Sequence, residues 1–308
     1  MGFLDKAKSA LDTGIDLAGS AVDSVANAAN DFSVERMPFM RGLARLCTLG
    51  WEMGWHEANG GNVSYRLTSE EVESCKPAFK LDGAWVEMAE ACPQMSGEFF
   101  AVTGTGKHLR LVEQSIAQSV GIVEVAPDGA SWRIAWGLTD GGAPTSELAS
   151  HVLIHAVRAE ATSGASRILY HAHPTNVCAL SMVVGNGARK ITRVLWKSMT
   201  EVIMLVPGGV GYVPWMVPGS WEIARATAEQ MREFSAVVWA HHGLFTSGAT
   251  FDDVFGMAHT IDKAAGIYLA ARAANGGRDE FASQIADADL LRICDDLNLE
   301  CKREWLNE

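Results

Sequence analysis

Hydrophobic and polar residues along this chain keep two different rhythms, and the points where one gives way to the other mark out its elements. Residues 37–53 carry apolar side chains at helical spacing, and the stretch that follows, Glu57-Ala-Asn-Gly-Gly-Asn62, is dense in turn formers. Residues 63–67 and 99–103 read as strands, and between them 68–97 is polar and irregular. Further strands are predicted at 121–125, 132–136, 167–173, 201–206 and 236–239. Helices are predicted at 146–160, opened by Pro144-Thr145, and at 175–184, 222–234 and 250–274. Short strands interleaved with helices predict an α/β, sandwich-like domain, and no internal repeat is visible.

Residues 1–30 stand apart. Leu4, Ala7, Leu11, Ile15, Ala18, Val22 and Val25 recur between Asp, Lys, Ser and Asn, the pattern of an amphipathic helix. The expected division is a helical extension at 1–30 and a main domain at 31–308. The extension's small apolar face suits packing on its own domain or a neighbouring subunit, or docking to a partner or a protein shell. Lys6 stands where a myristoylation signal needs Ser or Thr.

Composition narrows the picture. With 48% apolar and 20% charged residues, the chain can bury a sizeable core. A net charge of −12 argues against a nucleic-acid partner, which needs clustered Lys and Arg. Cys47, Cys75, Cys92, Cys178, Cys294 and Cys301 form no C-x-x-C pair, so reduced thiols are expected rather than a disulfide framework or a thiolate zinc site. There is neither a long apolar run nor a basic and apolar leader, so the cytosol is the expected compartment.

The chemistry concentrates in histidines at strand ends. His171-Ala-His173 closes an apolar strand, and a spacing of two sends both imidazoles to one face. Ala236-Val-Val-Trp-Ala-His-His242-Gly repeats the design and offers a third ligand, with either His241 or His242 free to be a core residue instead. Three protein ligands with an open position are the mark of a catalytic metal site. Pro144-Thr-Ser-Glu147 supplies a carboxylate at a helix start, where Thr145 or Ser146 also suits an ordinary N-cap. Gly104-Thr-Gly-Lys107 has neither the Walker spacing nor a complete dinucleotide fingerprint, so nucleotide binding is rejected. The polar loops at 59–62, 104–106 and 145–146 can together form a nest for one phosphate.

Taken in order, these motifs resemble a known family, the class II zinc-dependent sugar-phosphate aldolases of the aldolase/adducin group. The resemblance runs from about Met37 to Gly276. It is carried by Asn59-Gly-Gly-Asn62, Thr103-Gly-Thr-Gly106, Gly137-Leu-Thr139, Pro144-Thr-Ser-Glu-Leu148, His171-Ala-His173, Val213-Pro-Trp-Met-Val-Pro-Gly219 and His242-Gly-Leu-Phe245. It implies a layered sandwich with a central, mainly antiparallel sheet flanked by helices. It further implies one Zn²⁺ per subunit on His171, His173 and His242, and Glu147 as catalytic acid/base. The substrate phosphate is placed among Asn59, Asn62, Thr105, Gly106, Thr145 and Ser146. Glu201 matches a second acid/base given to the site by a neighbouring subunit, which implies a homotetramer with interfacial sites. The expected activity is reversible retro-aldol cleavage of a sugar phosphate. The alternatives are another sugar-phosphate enzyme of the scaffold, such as a fuculose- or ribulose-phosphate aldolase, a 4-epimerase or a dehydratase, or a non-catalytic adducin-like interaction module. The extension at 1–30 departs from the family pattern.

Overall fold

The computed structural model describes residues 33–306, so the helix expected at 1–30 lies outside the described residues. One sheet organises everything else. Its strands are β1 (Asn62–Arg66), β2 (Val86–Glu87), β3 (Phe99–Thr103), β4 (Val120–Val125), β5 (Ser131–Gly137), β6 (Ile168–Ala172), β7 (Gly211–Val213), β8 (Ala236–Trp239) and β9 (Gly243–Gly248). They lie in the order β2-β5-β4-β3-β1-β6-β9-β8-β7, and every pair is antiparallel except β7 with β8.

Period-two alternation divides the side chains between two faces. Val63 and Tyr65 of β1, Tyr170 of β6 and Val238 of β8 enter one core, which includes side chains from helices α1 (Pro38–Glu52) and, further along the chain, Phe251–Ala274. Leu169, Val237 and Trp239 point the other way. There they meet Ile154 and Val157 of Leu148–Ala161 and Ile223 and Met231 of Trp221–Met231. The result is helices on both faces of a mainly antiparallel sheet, as the motifs implied.

The remaining helices are α2 (Ser69–Cys75), α3 (Ile116–Ser119), α4 (Leu148–Ala161), α5 (Thr175–Val183), α6 (Ala188–Ser198), α7 (Thr200–Leu205), α8 (Trp221–Met231), α9 (Phe251–Ala274) and α10 (Asp287–Asp296). Among the described residues, no helix is long and apolar enough to cross a membrane.

Two differences from the sequence reading matter. The strand expected at 201–206 is instead helix α7, in which Val202 and Ile203 are buried while Glu201, Met204 and Leu205 are exposed. Adjacent burial followed by adjacent exposure is a helical pattern; the β-branched residues favoured a strand only by propensity, which packing overrides. Helix α4 begins at Leu148 rather than 146, with Glu147 as its N-cap residue and no side-chain cap. Glu147 therefore keeps its carboxylate for other partners.

Candidate active site

The sheet's register brings the cleft together. Asn62 of β1 lies opposite His171 of β6, and Phe245 of β9 flanks His171 on the other side. His173 follows the end of β6, anchored by a backbone hydrogen bond to the carbonyl of Trp55 (3.1 Å). Close approach needs glycine here. At Gly61, with φ of 78°, a Cβ would lie 2.7 Å from the carbonyl oxygen of His171; at Gly243 one would lie 2.3 Å from that of Ala172.

The turn between β8 and β9 resolves the choice left open between two histidines. His241 takes a φ of 59° and donates its N–H to Ser181 Oγ (2.9 Å). Its side chain is exposed, while His242 lines the cleft. One ligand nitrogen from each of His171, His173 and His242 lies within 4.8 Å of the others.

Outer partners aim two of these rings. Nδ1 of His171 faces the carbonyl oxygen of Leu244 at 3.2 Å, and Nδ1 of His173 faces Glu57 Oε1 at 2.5 Å. Both partners accept, so each Nδ1 donates, which leaves Nε2 as the nitrogen available to a metal. His171 Nε2 and His242 Nε2 stand 3.4 Å apart, and His173 Nε2 is buried with no hydrogen-bond partner among the described residues. Burial, and then the neighbouring imidazoles, hold His171 well below the ordinary histidine value; the same causes push His242 down to about 4. Three imidazoles with ligand nitrogens this close together fit a cation. Nitrogens roughly 2.0–2.1 Å from a tetrahedral ion stand about 3.4 Å from each other.

Glu147 stands beside this triad, its Oε2 4.0 Å from His171 Nε2. The carboxyl is buried and accepts a 2.7 Å hydrogen bond from Asn62 Nδ2. Burial raises its pKa, opposed by the Asn62 bond and by His173. A buried carboxyl held above its ordinary value beside a cluster of metal-ligand candidates is a candidate proton carrier.

The cleft encloses about 160 Å³ and is lined by Asn59, Asn62, Thr105, Gly106, Thr145, Ser146, Glu147 and the three histidines. Every site residue taken from the sequence is there except Glu201, which is exposed in the first turn of α7 and lines no part of the cleft within one chain. The glycine loop is tied to the Thr145 segment by a bridge between Gly104 and Pro144 and by Thr105 N–H to the carbonyl of Ala143 (2.9 Å). Lys107 is drawn into an ion pair with Asp140. Asn62 differs from expectation in one respect. Its amide nitrogen goes to Glu147 and its oxygen to His151 Nε2 (2.5 Å), so both ends of the side chain are engaged within the protein. A larger cavity of about 520 Å³, lined by Arg189, Lys190, Arg193 and Lys197 of α6, contains none of these histidines.

Several functional neighbours escaped the sequence reading. Glu57 orients His173, and His56 holds the Asn59–Asn62 loop through its Nδ1 and the carbonyl of Gly60 (3.1 Å). His151 and His155 were also missed, although their spacing of four after Glu147 puts all three on one helical stripe.

Sheet, triad, carboxylate and polar loops define an enzyme-like cleft in which three histidines could hold a metal. The class II aldolase and adducin N-terminal domain family matches residues 41–269, and the chain belongs to that family. Over 231 residues it is 44% identical to the rhamnulose-1-phosphate aldolase of Yersinia pestis (strain Pestoides F), an alignment spanning 75% of this chain and 84% of that protein. The rhamnulose-1-phosphate aldolase of Yersinia pseudotuberculosis serotype O:3 matches equally, again at 44% identity over 75% of this chain and 84% of its own length. A sugar-phosphate aldolase from Thermotoga maritima superposes with a TM-score of 0.64 at 26% identity, covering 78% of this chain and 96% of that one. The L-fuculose-1-phosphate aldolase of Thermus thermophilus shares the fold with a TM-score of 0.52 at 19% identity, over 78% and 97% of the two chains.

Proposed function

We propose that this chain cleaves L-rhamnulose 1-phosphate reversibly to dihydroxyacetone phosphate and L-lactaldehyde, using a zinc ion on His171, His173 and His242. One observation carries the reading: a single buried carboxylate beside three converging imidazoles in a cleft lined by polar loops. The 44% identity to rhamnulose-1-phosphate aldolases supports the choice of substrate, as do the segments 137–139 and 213–219.

A divalent ion on the triad would supply positive charge to the oxygens of the ketose as the bond between C3 and C4 breaks. Glu147 then delivers a proton to C3, the carbon that leaves as part of dihydroxyacetone phosphate, and removes it in the reverse direction. Asn62 holds Oε2 of this carboxylate by its 2.7 Å hydrogen bond. Thr105, Gly106, Thr145, Ser146 and Asn59 hold the phosphate, whose binding positions the reacting carbons.

Glu201 serves the aldehyde side from a neighbouring subunit of a homotetramer. Its short helix also exposes Met204 and Leu205, an apolar surface suited to a subunit contact. Residues 1–30 serve as an address or docking segment of a cytoplasmic enzyme, so their deletion leaves cleavage intact.

The test is parallel incubation with rhamnulose 1-phosphate and fuculose 1-phosphate, with dihydroxyacetone phosphate detected by coupled hydride transfer. Release from the first substrate, abolished by a chelator and restored by zinc, is expected. An epimerase or dehydratase would consume substrate without releasing the triose. A chain that holds no metal and gains no activity on adding it would point to an interaction module.

A further inference from the structure

Glu147 is joined to a buried polar chain that runs the length of two strand residues and two helical turns. Asn62 Nδ2 donates to Glu147 Oε2 at 2.7 Å, and Asn62 Oδ1 faces His151 Nε2 at 2.5 Å. His151 Nδ1 faces Ser64 Oγ at 2.6 Å, and Ser64 Oγ faces His155 Nε2 at 2.8 Å. Ser64, His151 and His155 are all fully buried, between β1 and α4.

Valence fixes the direction of every bond. The Asn62 oxygen can only accept, so His151 Nε2 carries a hydrogen. Burial keeps the ring neutral, so its Nδ1 is a lone pair and takes the Ser64 hydroxyl hydrogen. The serine oxygen must then accept from His155 Nε2–H. That leaves His155 Nδ1 as a bare lone pair, and it is indeed buried with no hydrogen-bond partner among the described residues. The chain thus points one way, from His155 to the carboxylate.

We propose that His155, Ser64 and His151 are positioning residues that lock the amide of Asn62 with its N–H₂ toward Glu147, and so fix the carboxylate for proton transfer. Without the His151 hydrogen, the Asn62 amide is free to turn its oxygen toward the carboxylate and push it aside. None of the three touches substrate. The proposal rests on Glu147 acting as the acid/base.

The experiment compares His151→Phe, His151→Gln and Ser64→Ala with the parent and with Glu147→Gln. A cleaving parent and a dead Glu147→Gln establish the underlying reading independently. His151→Phe is expected to lower kcat by about tenfold or more while KM changes less than about twofold, because orientation and not binding is lost. His151→Gln, which restores an N–H at the Nε2 position, recovers a substantial part of that rate. Ser64→Ala lowers kcat in the same direction and decides the matter if His151→Phe does not fold. Metal content stays at the parent's level throughout. Independently, ¹⁵N-histidine NMR of the parent shows His151 and His155 as neutral Nε2–H tautomers. An unchanged kcat in Ser64→Ala, equal losses in the Phe and Gln variants, or a His151 ring in the Nδ1–H form overturns the proposal.

Discussion

Val63 and Tyr65 on one face of β1, and Asn62 and Ser64 on the other, are all buried, yet the first pair is apolar apart from the Tyr65 hydroxyl, which reaches Glu71, and the second is polar. The first pair joins an apolar core whose worth is the area withdrawn from water. The second is tolerated because the Asn62 amide and Ser64 hydroxyl meet partners on α4 and at Glu147. One residue step along the strand separates packing from chemistry. Substitutions on the two faces should therefore fail in different ways.

The largest effect is expected at the triad. His171→Ala should lose bound metal, read by elemental mass spectrometry, and lower cleavage by at least about 10²–10³-fold. Glu147→Gln should keep the metal and lower kcat by about 10²–10⁴-fold, which separates the proton carrier from the ion that it serves. A rate within a few-fold of the parent would show that Glu147 is not the acid/base. On the apolar face, Ile168→Ala should reduce the unfolding free energy by about 2–5 kcal/mol in a denaturant titration, with kcat and metal content unchanged. A loss of rate without loss of stability there would erase the division between the faces.

The smallest effect concerns acid. Burial pushes His151 down to about 3 from an ordinary value of 6.5, so between those limits the unfolded chain binds a proton that the native chain does not. Its contribution is complete above the unfolded value and is lost progressively as pH falls toward the folded one, by up to about 1.4 kcal/mol per pH unit. Thermal melts from pH 7.5 to 5 should show a steeper decline in the parent than in His151→Phe. Equal slopes would mean that His151 is not held neutral.

The same contrast explains what could be read from the chain. Strands such as β3 and β8 are legible because local pattern and burial agree. Helix α7 was misread, since its β-branched and apolar run suits either state until its neighbours are known. Helix α6 was overlooked, although Ile191, Thr192, Leu195 and Trp196 form a buried helical stripe. In the site, His171, His173, His242 and Glu147 follow from motifs that stand in order along the chain. The partners that aim them do not, because Glu57 meets His173 and Ser64 meets His151 only through the sheet register and the packing of α4. For Asn62 the motif gave its place in the cleft, and only the fold shows its amide turned to Glu147 and His151.

The central claim is that Glu147 moves the proton at the carbon that becomes nucleophilic. It is tested most directly by hydrogen exchange in dihydroxyacetone phosphate alone, followed by proton NMR in D₂O with metal-loaded protein. The parent should exchange one hydrogen at the hydroxymethyl carbon without any aldehyde present, and Glu147→Gln, with its metal retained, should not. Exchange in Glu147→Gln at the parent's rate would contradict the account.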